Sequence, residues 1–151
     1  MRAAVVLRHL LCSAFGAHAV LDALHVLCVL FPQTWVVALG PDALESLGGL
    51  YISTLANDAD RTHPVLRRFL AYWVAAMSLP RAAALALAPM SPAVFAFVAI
   101  AYTLEALVFE FEGTVGGSVP RARARVAAGV SLVLGAGAAW LAWGGGPERL
   151  T

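Results

Sequence analysis

Residues 78–109 read SLPRAAALALAPMSPAVFAFVAIAYTLEALVF, and this stretch decides the fold. Two apolar runs meet at a proline-rich turn, Pro89 to Pro92. Arg81 lies before the turn and Glu105 after it. A lone charge at the centre of a helix in hydrocarbon costs roughly 2.5–3.5 kcal/mol. Opposite charges on consecutive apolar segments offset that cost if they pair, which requires a bundle more polar inside than outside. The stretch therefore predicts an antiparallel helical hairpin crossing a bilayer. Measured from the turn, the two charges differ in depth by ~7 Å along the helix axes. A long arginine side chain and a kink at Pro80 would close that gap.

The rest of the chain extends this reading. Of 151 residues, 61% are hydrophobic and 13% charged, roughly half the charged share of a soluble domain. Apolar runs cover about 10–31, 65–88, 91–111 and 126–143. The expectation is an all-α, integral membrane four-helix bundle forming a single transmembrane domain over residues 1–151. The first run is too long for the apolar core of a secretory signal, so it reads as a retained helix. An organellar presequence is the alternative, because the first 21 residues hold Arg2 and Arg8 and no acid. The long first connection, 32–63, contains a candidate interfacial helix from Asp42 to Ala56. Leu44, Leu47, Leu50, Tyr51 and Leu55 lie on one side of it, and Gly48 and Gly49 weaken it. Trp140 and Trp143 stand where an aromatic belt belongs. Arg61, Arg67, Arg68, Arg121, Arg123 and Arg125 fall on the side opposite Arg2, Arg8 and Arg149. The positive-inside rule then favours cytoplasmic or matrix-like loops.

Several function classes are excluded. The net charge is +1, with no basic run interleaved with aromatics, so nucleic acid is not the partner. All ten basic residues are arginine, a bias of composition to which no function attaches. The sequence holds no histidine box, nucleotide loop, CxxC or serine elbow, so no catalytic residue, cofactor or metal is assigned. Cys12 and Cys28 would lie ~24 Å apart on one helix, too far to bond, and read as small buried hydrophobes.

The polar residues inside the apolar runs are the candidate sites. Arg81 and Glu105 read as a fold-specifying pair, with contact to a lipid headgroup or a partner's buried polar group as the alternative. His18, Asp22 and His25, spaced four and three apart, share one face of the first helix. They read as a polar stripe turned inward, with a metal or pigment site as the alternative. One helix supplies too few ligands for a closed zinc site. Arg121, Arg123 and Arg125 read as lipid-headgroup contacts. Glu110 and Glu112, like Asp58 and Asp60, read as solvated helix ends. Ser131 with Gly135-Ala136-Gly137-Ala138 gives the fourth segment a small-residue face, suited to packing within the chain or to docking another.

Arg68, Trp73 and Arg81 in the second segment, followed by Ala101-Tyr102-Thr103-Leu104-Glu105-Ala106-Leu107-Val108-Phe109 in the third, resemble the ergosterol biosynthetic protein 28 family. Length, four spans and a long first connection agree with it. The link between Arg81 and Glu105 is shorter than the family's, and Arg149 alone stands for its basic tail. The resemblance implies a non-catalytic scaffold in the endoplasmic reticulum membrane that tethers the enzymes of sterol C-4 demethylation. Arg68, Trp73, Arg81 and Glu105 would be its signature positions. The expected partners are membrane proteins in a multi-subunit complex, and bilayer lipids. Two alternatives stay open. One is a supernumerary subunit of a respiratory, ATP-synthase or photosystem complex in the mitochondrial inner membrane or thylakoid. The other is a lipid- or pigment-binding membrane protein.

Overall fold

The computed structural model describes residues 2–31, 64–86, 91–116 and 120–144. These form four helices: α1 Arg2–Leu30, α2 Pro64–Ala86, α3 Pro92–Phe111 and α4 Arg121–Trp143. No strand occurs among the described residues. The interfacial helix expected over Asp42–Ala56 lies outside them.

Local chemistry sets the helix ends. Ser91 is extended (φ −136°, ψ 107°) and Pro92 takes the first helical position, where a missing N–H costs nothing. Pro120 likewise precedes α4, and Gly144 closes it, donating its N–H to the Trp140 carbonyl at 2.8 Å. Two expected starts were too late. α1 begins at Arg2 instead of residue 10, and α4 at Arg121 instead of 126. The apolar runs begin later than the helices because arginine is a good helix former and can sit in the first turns of a helix that then enters lipid. α2 continues through Pro80. Past Phe111 the chain keeps turning, as one π-helical turn, Glu112–Gly116. The Thr114 hydroxyl donates to the Glu110 carbonyl at 2.6 Å there.

Among the described residues, three helical stretches are long and apolar enough to cross a membrane: Ala3–Leu27, Pro92–Gly116 and Arg121–Trp143. α2, expected as a fourth span, is 23 residues long but is not among them. It carries Arg67, Arg68, Pro80 and Arg81.

The chain divides into two compact units, Met1–Ala19 with Met77–Thr151, and Val20–Ala76. In the first unit one apolar core joins all four helices. Phe15 comes from α1, Ala84 from α2, Phe95, Val98, Ala99 and Tyr102 from α3, and Ala138, Leu141 and Ala142 from α4. The buried positions of α4, Ala124, Ala128, Ser131, Gly135, Ala138 and Leu141, recur every three or four residues and are mostly small. Small residues bring backbones close where lipid supplies no hydrophobic drive. A Cβ added at Gly135 would lie 3.2 Å from the Tyr102 Cβ, and one at Gly137 would lie 2.6 Å from Leu11. The small-residue face of α4 is therefore used inside the chain. The second unit contributes α1 from Val20 and α2 up to Ala76, in which Asp22, Ala71 and Val74 are buried.

Large apolar side chains lie outside. Val126, Val130, Leu132, Val133 and Trp143 of α4 are exposed, as are Phe97, Ile100, Leu104 and Leu107 of α3. The largest fully buried side chain is Arg81, 1% exposed. A buried arginine inside and large aliphatic side chains outside depart from the pattern of a water-soluble domain, and suit a surface bathed in hydrocarbon.

Candidate functional site: an arginine clamp inside the first unit

Arg81 reaches the core from α2 because its helical register there is that of Ala84, three residues on, which is also fully buried. Its Nη2 donates to Glu105 Oε2 of α3, a charge-assisted contact. The hairpin offset foreseen between these two residues does not prevent the pairing. The guanidinium also lies over the Tyr102 ring, its Cζ 4.2 Å from the centroid, in cation–π geometry. Glu105 is three residues past Tyr102, so both present to the same side of α3.

His18 of α1 completes the cluster. Its Nε2 is 3.7 Å from Glu105 Oε1, and its Nδ1 is 3.0 Å from the Tyr102 hydroxyl. A carboxylate only accepts, so a neutral imidazole carries its proton on Nε2 toward Glu105. Nδ1 then accepts from the Tyr102 O–H. The His18 and Tyr102 ring centroids stand 5.3 Å apart, and those of Phe15 and Tyr102 5.8 Å apart. Tyr102 is fully buried, with ring, hydroxyl and Cβ each committed to a different helix. Glu105 lies near the middle of the apolar stretch Pro92–Gly116, the depth at which an unpaired carboxylate would be most costly.

Other sequence candidates are placed differently. The polar stripe His18, Asp22, His25 is buried or partly buried along its length. His18 belongs to the clamp. Asp22 is buried, and His25 is partly buried with its Nε2 lacking a hydrogen-bond partner. Arg68 and Trp73 are exposed on α2. Arg68 lies thirteen residues before Arg81, about 3.6 turns, and therefore on a different face. Arg121, Arg123 and Arg125 are exposed but stand in the first turns of α4, not in a loop. An every-second-residue pattern on a helix cannot face one way, so the three do not form a single patch. Cys12 is a free thiol packed against the core.

Sequence reading missed Tyr102, which it quotes only within the stretch that carries the family resemblance. Its signal was available: a hydroxyl three residues before a buried acid in an otherwise apolar run. Among the described residues, no three His, Cys, Asp or Glu side chains converge to hold a metal. The clamp can fix helix register and hold charge at mid-membrane depth. No protein-family model, curated protein or solved structure matches this chain.

Proposed function

We propose that this chain is an integral membrane scaffold, a four-helix bundle that assembles other membrane proteins and does no chemistry of its own. One observation carries the reading: among the described residues the largest fully buried side chain is an arginine whose charge is met by Glu105 and the Tyr102 face inside the same unit. A charge spent in this way specifies structure. Breaking such a pair typically costs 3–5 kcal/mol, and its best-attested use is fixing register. The exposed aliphatic side chains of α3 and α4 leave a broad surface for lipid and for partner helices.

The arrangement Arg68, Trp73, Arg81 and Glu105 supports a more specific form of the reading, through its resemblance to the ergosterol biosynthetic protein 28 family. In that form the chain tethers sterol-modifying enzymes in the endoplasmic reticulum. The test is affinity purification of the full chain in mild detergent, with the co-purifying proteins identified by mass spectrometry. Sterol oxidoreductases at near-stoichiometric yield are expected. Respiratory, ATP-synthase or photosystem subunits in their place would move the chain to the second reading, a small structural subunit of such a complex. Haem or chlorophyll absorbance in the purified chain, or turnover of a substrate by it, would overturn the scaffold reading itself.

A further inference from the structure

Because α4 begins at Arg121, its arginines can be assigned to faces. Arg121 and Arg125 are four apart and share one, with Cβ atoms roughly 6 Å apart. Arg123 points about 180° away from the midpoint of that pair. The Arg121–Arg125 face continues down the helix through Gly129, Leu132 and Ala136 to Trp143, all exposed. It is separate from the buried stripe of Ala124, Ala128, Ser131 and Gly135. Gly129 is the low point of the track: a Cβ built there would meet nothing within 4 Å. Gly135, by contrast, is tightly covered by Tyr102.

We infer that this face of α4 binds an anionic phospholipid, its phosphate held between Arg121 and Arg125 and one acyl chain lying over Gly129, Leu132 and Ala136. Three features point to this ligand. Two guanidinium groups on adjacent turns can donate to different oxygens of one phosphate, which arginine does in planar, two-point fashion. From Arg125 to Ala136 the helix rises ~16 Å, about half the hydrocarbon thickness and so one leaflet. The arginines stand at the end of the membrane-suited stretch Arg121–Trp143, where headgroups lie, and the track beneath them is apolar. Glu110 is exposed at the end of the neighbouring α3, and Glu112 is partly buried. The face of α4 itself carries two arginines and no acid. This inference does not rest on the scaffold reading: a lipid site can exist whether or not the chain assembles enzymes.

The experiment is native mass spectrometry of the purified full chain in mild detergent, with equal amounts of phosphatidylglycerol and phosphatidylcholine added. Phosphatidylglycerol adducts are expected to exceed phosphatidylcholine adducts by tenfold or more. The Arg121→Gln/Arg125→Gln double variant should lose that preference, at about fivefold per arginine, equivalent to the ~1 kcal/mol per basic residue near an anionic surface. Arg123→Gln removes one charge, from the other face, and should keep the preference. Gly129→Leu fills the track without changing charge and should lower phosphatidylglycerol retention severalfold, with helix content by circular dichroism unchanged. Excess inorganic phosphate should not displace the lipid. Equal adducts for the two lipids, equal losses in the Arg123→Gln and double variants, no effect of Gly129→Leu, or displacement by phosphate would each overturn the inference.

Discussion

At the scale of the residue, Tyr102 is where the structure concentrates its requirements. Its hydroxyl donates to His18, its ring receives the Arg81 guanidinium, and its Cβ sits against Gly135. These roles are separable by substitution. Tyr102→Phe removes only the hydroxyl and keeps the ring under Arg81. It should cost about 0.5–1.5 kcal/mol, the net worth of one ordinary hydrogen bond. Tyr102→Leu removes the ring as well and leaves Arg81 with less charge compensation, so a larger loss of about 2–5 kcal/mol is expected. Reversible unfolding in mixed micelles would measure both. Equal losses for the two variants would show that the ring does not support Arg81. Arg81 and Glu105 were legible in the sequence because an isolated charge in an apolar run needs an explanation. Tyr102 was not, because a tyrosine in a membrane span is unremarkable until a charge is found against its ring. The partners of His18 were equally hidden. Periodicity assigns a residue to a face of its own helix and says nothing about which neighbour that face meets.

At the scale of the element, α4 shows how two glycines on one helix do opposite work. Gly135 allows close approach of α3, and a Cβ there would press on the Tyr102 Cβ at 3.2 Å, tighter than ordinary contact. Gly135→Val should destabilise by about 1–3 kcal/mol through overpacking. Gly129 faces open space, so Gly129→Ala should be neutral or stabilise by up to ~1 kcal/mol through helix propensity. The contrast can be read from thermal unfolding of the two single variants in the same detergent. If Gly129→Ala destabilised as much as Gly135→Val, the assignment of faces on α4 would be wrong. The small-residue face of this helix was visible in the sequence, but not its use. Gly135-Ala136-Gly137-Ala138 suits an internal neighbour and an external one equally, and only the contacts of Gly135 and Gly137 settle it as internal. The early starts of α1 and α4 were missed for a related reason. Hydropathy marks where the apolar run begins, whereas the helix begins wherever its first turn can be formed and solvated.

At the scale of the whole molecule, what was legible was the all-helical class and the positions of the apolar segments. The order of the helices, the start of α3 at Pro92 and the inward placement of Arg81 all follow from where charge and proline interrupt apolar sequence. The account rests on one physical claim: the consecutive helices α2 and α3 are held in register by a charge pair formed where no water can replace it. If that is so, Arg81 and Glu105 behave as a single thermodynamic unit. Losing either strands the other, and losing both removes the problem together with the solution. The most direct measurement is a double-mutant cycle on Arg81→Ala and Glu105→Ala, followed by reversible unfolding of the full chain in bicelles. Each single variant should lose about 3–5 kcal/mol, and the double variant no more than the worse single. Losses that sum in the double variant would contradict the account.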